Sequence, residues 1–122
     1  MIDIFKTIRS FKYAFTGILA LFWFENNARV HLLLGAAAVI LGYWLQISAV
    51  EWALVILSIG GVWAAEAFNT AIEKLCDVVS PALNRQIKSV KDLAAAGVLL
   101  VALATVGVAL AVFGPKLLRL LL

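Results

Sequence analysis

The sequence predicts an all-α membrane protein, with an N-terminal amphipathic surface helix followed by three transmembrane helices in a bundle. First, the 122 residues are 65% hydrophobic and only 14% charged, with a mean hydropathy of +1.06. So small a water-soluble domain cannot bury that much apolar surface. Second, three stretches are long and apolar enough to cross a bilayer. Third, the N-terminal stretch has one apolar and one polar face.

The N-terminal segment, about residues 3–24, is predicted to lie in the membrane surface. Its aromatic and aliphatic residues recur at steps of three and four, and its polar residues follow the same period on another face. This pattern is typical of an amphipathic helix. The segment ends at a polar break, Glu25-Asn26-Asn27.

The three spans follow in order, at about residues 30–48, 52–77 and 93–114. The first contains no Asp, Glu, Lys or Arg, and Trp44 near its end suits an aromatic belt at the membrane interface. We expect Pro81 to stop the second span, and Gly114-Pro115 to end the third, because proline cannot continue a helix normally. Residues 1–122 are thus expected to form a single domain.

Lys and Arg residues are unevenly distributed between the two sides. They occur in the N-terminal segment and between spans two and three, but not in the short loop between spans one and two. The positive-inside rule therefore places the N-terminus and the second loop in the cytoplasm, although Lys116 and Arg119 run against it. The net charge of +3 suits anionic lipid headgroups rather than nucleic acid, since no basic cluster is dense enough.

The second span carries a row of polar residues: Glu66, Asn69, Glu73 and Asp77. At about 100° per residue, all four lie on one helix face. Glu66 is expected within the cytoplasmic half of the bilayer, about 21 Å along the helix from Trp52, with Glu73 near the interface. A carboxylate in hydrocarbon is costly unless it is paired, hydrated or faces a protein interior, so the row is a candidate site.

The depths of these residues indicate a chemistry. Glu66, removed from water, suits proton transfer. Glu73 and Glu25, both expected at the interface, are carboxylates that could share a Mg²⁺ ion with substrate phosphates. Lys91, at the same level, could hold a phosphate. This set of groups is typical of phosphoryl transfer to a lipid hydroxyl, although the sequence motifs of soluble kinases are absent.

Other interpretations stay open from the residues alone. Glu66 could be a structural residue between helices, Lys91 could pair with Asp77 or Asp92, and Glu25 could cap the surface helix. The competing class is a non-catalytic helical bundle, such as a transporter or pore subunit, that uses Glu66 as a proton or ion site.

Two motifs are similar to a known family. They resemble the signature of the small prokaryotic diacylglycerol kinase and undecaprenol kinase family. The matching residues are the octapeptide Glu66-Ala-Phe-Asn-Thr-Ala-Ile-Glu73, then Asp77, and then Val-Lys-Asp-Leu-Ala-Ala at residues 90–95. The resemblance covers nearly the whole chain. It implies a homotrimer in the bacterial inner or plasma membrane that uses MgATP and has active sites at subunit boundaries.

The resemblance also implies roles for individual residues. Glu66 matches the general base, Asn69 an active-site amide, and Glu25 and Glu73 the metal-binding glutamates. The positions that match nucleotide contacts, besides those two glutamates, are Lys6, Arg9, Tyr13, Asp77, Lys91 and Asp92. Those that match lipid contacts, besides Glu66, are Arg29, His31, Trp44 and Ala95.

The chain departs from the family pattern in the loop at residues 80–85, Ser-Pro-Ala-Leu-Asn-Arg. Side-chain nucleotide contacts are not expected there, whereas backbone contacts at residues 82–84 could survive. Ala95 stands where some diacylglycerol kinases have serine. The Asn69-Thr70 pair and the Ser80-Pro81 loop resemble the branch that includes undecaprenol kinases, which favours undecaprenol over diacylglycerol as the substrate.

Overall fold

The computed structural model describes residues 1–80, 82 and 84–122, and these residues form α-helices and no strand. The helices are α1 (Ile4–Phe24), α2 (Asn26–Leu45), α3 (Ala49–Val79) and α4 (Arg85–Leu121). Helices α2, α3 and α4 are each long and apolar enough to cross a membrane. The predicted architecture, an N-terminal helix followed by three spans, is thereby confirmed.

Helices α1 and α2 are separated by one residue, Glu25, whose backbone is extended (φ −101°, ψ 117°). The Asp3 side chain caps α1 by accepting a hydrogen bond from the Lys6 backbone N–H at 3.0 Å. Helix α2 begins four residues before the predicted start of the first span near residue 30, because Asn26 and Asn27 already belong to the helix. The first-turn N–H groups of a helix have no intrahelical partner, so polar residues are tolerated there.

Helices α2 and α3 form a tight hairpin. Gln46 ends α2 in the left-handed region, at φ 52°. Ser48 and Glu51 then form a capping box, in which each side chain accepts a backbone hydrogen bond from the other residue. This cap starts α3 at Ala49 rather than at residue 52, because it satisfies N–H groups that the first turn leaves unpaired.

Helix α4 is longer at both ends than predicted. Asn84 caps it by accepting the Gln86 backbone N–H at 2.8 Å, so the helix begins at Arg85 rather than at residue 93. It also continues through Pro115 to Leu121, so the predicted end at Gly114-Pro115 was wrong. Proline removes one backbone donor but is tolerated in apolar membrane helices. The expectation that Pro81 stops the second span falls on a residue outside the described ones.

Helix α3 contacts all three of the other helices. The best-buried apolar cluster, Ile47, Val55, Val112 and Phe113, lies where the α2–α3 turn meets α3 and α4. Many large apolar side chains elsewhere are exposed, as lipid-facing residues are. The 31 residues of α3 measure about 46 Å, against a hydrocarbon layer of about 30 Å. Its polar last turns can therefore project beyond the layer.

Candidate functional site

The polar row on α3 passes from buried to exposed along the helix. Glu66 is 3% exposed and is the one buried charged residue among those the structure describes. Asn69 and Glu73, one and two turns further on, are half-buried. The side chain of Asp77 is 68% exposed. The row therefore joins a site shielded from solvent to an accessible end of the helix.

Glu66 meets a residue of a different span. The Nε2 atom of His31, on α2, lies 3.5 Å from Oε1 of Glu66. The His31 side chain is 24% exposed and that of Glu66 only 4%. A carboxylate held in an apolar layer requires such a partner. Sequence reasoning placed His31 among the lipid contacts and did not predict this pairing.

Asn69 and Glu73 are joined within the row. The side-chain amide of Asn69 donates a hydrogen bond of 3.2 Å to Oε1 of Glu73. The other amide atom, Oδ1 of Asn69, is buried and has no hydrogen-bond partner among the described residues. A buried acceptor without a hydrogen-bond partner costs free energy of folding. Such an acceptor is expected where a ligand or water supplies the missing donor.

The exposed end of the row connects α3 to α4. Lys91 Nζ lies 2.7 Å from Oδ1 of Asp77, one of the pairings that the sequence left open. Asp92 instead pairs with Lys88, one turn before it on α4, also at 2.7 Å. The chain thus brings Asp77 and Lys91 together, and places Asp92 beside them.

A cavity of about 600 Å³ lies between α1 and α3. Its walls are mostly small or apolar, and Glu25, Thr70 and Lys74 are polar residues that line it. Glu25 lies at the α1–α2 junction and, like Glu73, is within electrostatic range of Glu66. The structure therefore brings the carboxylates of Glu25, Glu66 and Glu73 into one region.

A second cavity, of about 370 Å³, lies between α2, α3 and α4. Its lining is mostly apolar, and His31, Trp63 and Thr105 are lining residues that carry a polar group. Trp63 borders both cavities and packs edge to face against Phe22 of α1, with ring centroids 5.2 Å apart. The pair of His31 and Glu66 is thus next to a space large enough for part of a lipid chain.

Other predicted site residues do not converge within one chain. Lys6, Arg9 and Tyr13 lie on the exposed part of α1, about 18 to 28 Å from Glu25 along the helix axis. Arg29, Trp44 and Ala95 are also exposed, and Trp44 is about 20 Å along α2 from His31. In the loop at residues 82–84, Leu83 lies outside the described residues.

Several residues at this site carry no direct signal in the sequence. His31 lies on a different helix from Glu66 and Glu73, so the helical period of α3 does not place it beside them. Trp63 looks like an ordinary residue of a span, and Lys74 like an ordinary helix-end residue. The one available signal was that a buried Glu66 must have a partner, and that His31 is a polar residue at a similar depth in the preceding span.

The fold and site define a class: a multi-pass helical membrane protein with buried and interfacial carboxylates beside paired lysines. A sequence profile described as prokaryotic diacylglycerol kinase matches residues 12–113, and the chain belongs to that family. It is similar to an undecaprenol kinase of Bacillus subtilis, at 33% identity over 92% of this chain and 91% of the relative. It is also similar to a diacylglycerol kinase of Synechocystis sp., at 34% identity over 92% of this chain.

The chain spans 65% of the length of the Synechocystis relative. Both relatives are kinases by name, and the family membership confirms the predicted resemblance and the prediction of a phosphotransferase. It also decides against a non-catalytic transporter or pore subunit.

Proposed function

We propose that this protein transfers the γ-phosphate of MgATP to the hydroxyl group of a membrane lipid alcohol. The observation that carries the proposal is Glu66, a buried carboxylate at the inner end of a polar row that reaches the exposed turns of α3. One end of this row suits a lipid hydroxyl, and the other suits a water-soluble nucleotide.

Glu66 acts as the general base in this proposal. The lipid oxygen attacks the γ-phosphorus, a new O–P bond forms, and the bond to the β–γ bridging oxygen breaks as ADP leaves. The hydroxyl proton passes to a carboxylate oxygen of Glu66. Because phosphoryl transfer is catalysed mainly by positioning and electrostatic stabilisation, Asn69 is assigned a positioning role next to the reacting groups.

Glu25 and Glu73 are the proposed ligands of Mg²⁺. Among the residues that the structure describes, no group of three or more His, Cys, Asp or Glu side chains could hold a metal ion. Two carboxylates still fit Mg²⁺, which commonly takes one or two protein carboxylates and completes its shell with phosphates and water. Oδ1 of Asn69, which has no hydrogen-bond partner among the described residues and belongs to the amide bonded to Glu73, would accept from such a water. The bound ion would neutralise phosphate charge during transfer.

Lys91 is the proposed phosphate contact. Its ammonium already pairs with Asp77 at 2.7 Å in an exposed position, so a phosphate oxygen can compete for it. Asp77 and Asp92 are proposed to complete the nucleotide site. Further nucleotide contacts are proposed from the surface helix, at Lys6, Arg9 and Tyr13.

The acceptor lipid is proposed to contact Arg29, His31, Trp44 and Ala95 besides Glu66. The sequence motifs favour undecaprenol, and diacylglycerol is the second candidate. Either lipid has a hydroxyl group at the membrane interface and hydrocarbon that suits the apolar cavities beside α3.

The proposed assembly is a homotrimer, with the N-terminus and the α3–α4 loop on the cytoplasmic side of the bacterial inner or plasma membrane. The spread of the predicted contacts supports an oligomer, because the exposed residues of α1 lie far from Glu25 within one chain. A neighbouring chain could bring such residues to the nucleotide.

A lipid panel tests the proposal. The purified protein is incubated with labelled ATP and Mg²⁺, and with undecaprenol or diacylglycerol in mixed micelles. We expect label in the lipid fraction, with more from undecaprenol. Label in neither lipid would refute the kinase assignment, and a preference for diacylglycerol would refute only the choice of lipid.

A further inference from the structure

We propose that His31 is a positioning residue that holds Glu66 as a carboxylate and directs one of its oxygens at the acceptor hydroxyl. This inference rests on the proposed function, because it concerns how the base of that reaction is prepared. The contact that carries it joins Nε2 of His31 on α2 to Oε1 of Glu66 on α3, at 3.5 Å.

Glu66 must be ionised to act as the base. Only the ionised form of a carboxyl group can accept a proton, and an ionised group in hydrocarbon requires a partner. In the described part of the chain, the charges of three titratable groups act on Glu66: His31 from α2, Glu25 from the α1–α2 junction and Glu73 from α3 itself. Two of these are carboxylates that repel it. Of the three groups, only His31 offers a donor or a positive charge, and it contacts Glu66 directly.

The geometry assigns different tasks to the two carboxylate oxygens. Nε2 of His31 lies 3.5 Å from Oε1 of Glu66, and in this proposal its N–H group engages that oxygen and leaves the second one for the proton of the lipid hydroxyl. A separation of 3.5 Å is long for a hydrogen bond, but catalytic hydrogen bonds are often long in the free enzyme and shorten when substrate binds.

The location of His31 permits this role. Its side chain is 24% exposed, against 4% for Glu66, and it lines the cavity between α2, α3 and α4. His31 and Glu66 lie on different spans, so the packing of α2 against α3 sets their contact. A lipid that enters this cavity would meet His31, whose Nε2 contacts the carboxylate.

Two variants separate positioning from packing. His31→Leu removes the hydrogen-bond donor and introduces an apolar side chain of similar size. His31→Gln keeps an N–H donor. We expect His31→Leu to lower kcat about tenfold to a hundredfold, the cost of a misplaced catalytic group, with KM for ATP unchanged. The acidic limb of its pH–rate profile should move to higher pH. His31→Gln should recover most of the lost kcat.

An infrared measurement tests the charge state without turnover. The C=O band of a protonated carboxyl group, assigned to Glu66 by its absence in Glu66→Gln, is followed against pH. In His31→Leu we expect the band to persist to higher pH than in the wild type and in His31→Gln. If both kcat and the pH dependence of the band were unchanged in His31→Leu, the role of His31 would be refuted and the kinase assignment would stand. If no lipid were phosphorylated, the kinase assignment would fall, and the infrared band alone would decide whether His31 holds Glu66 ionised.

Discussion

The side-chain amide of Asn69 donates to Oε1 of Glu73, 3.2 Å away and one turn further along α3. This contact fixes the orientation of Glu73 and leaves its second oxygen for a ligand. It also leaves Oδ1 of Asn69 buried, with no partner among the described residues. In the proposed site, Asn69 and Glu73 would each present one acceptor to the metal ion or its water.

We expect Glu73→Gln to weaken the magnesium dependence of lipid phosphorylation. An amide is a poorer ligand than a carboxylate for a hard cation such as Mg²⁺, so half-maximal activity should need more of the metal. Titration of activity with MgCl₂ at saturating ATP measures this change. Glu51→Gln, at the other end of the same helix, is the matched control for loss of a carboxylate, and its magnesium titration should be unchanged even though it also breaks the ion pair with Lys116. An unchanged magnesium titration in Glu73→Gln would remove Glu73 from the metal site.

Glu66→Gln should abolish turnover and leave nucleotide binding largely intact. The amide has nearly the same shape but cannot accept the hydroxyl proton, and loss of a general base costs about 100- to 10,000-fold in rate. Labelled lipid and equilibrium binding of a non-hydrolysable ATP analogue are measured on the same preparation. If analogue binding were lost as well, Glu66 would be a structural or metal-binding residue instead.

The ion pair of Glu51 and Lys116 should stabilise the end of the bundle opposite the proposed site. Lys116 Nζ lies 3.3 Å from Oε1 of Glu51, and the two side chains are only 26% and 24% exposed. The Lys88–Asp92 pair, at 69% and 63% exposure, is the control, since exposed pairs contribute little. Thermal unfolding in detergent should show a larger fall in Tm for Lys116→Gln than for Lys88→Gln. Equal falls would contradict a stabilising role.

Gly42→Ala should destabilise the α2–α3 hairpin. A Cβ atom at Gly42 would lie 2.8 Å from the Trp52 ring and 3.1 Å from Ile47, and overpacking of this kind costs about 1–3 kcal/mol. Gly97→Ala is the control, because a Cβ atom there meets nothing within 4 Å. Tm measured in detergent should fall for Gly42→Ala and hold or rise for Gly97→Ala. A Tm for Gly42→Ala at or above that of the wild type would show that the hairpin can relax around the added methyl group.

Helix ends were the least predictable part of the fold. Caps at Ser48 and Asn84 depend on a few side-chain hydrogen bonds, and α3 and α4 begin three and eight residues before their predicted spans. The apolar pattern marks where lipid contacts a helix, not where its backbone hydrogen bonds stop. For this reason the predicted third span begins at residue 93, although residues 85–92 already form the first turns of α4.

The sequence by itself determined the class of protein, the order of the helices and the row from Glu66 to Asp77. Composition decides whether a chain needs lipid, and the 3.6-residue period decides which side chains share one face of one helix. Only the tertiary structure decided that His31 faces Glu66 and that Lys91 faces Asp77. Those contacts depend on how each helix is rotated against its neighbour, which is fixed by packing along both helices at once.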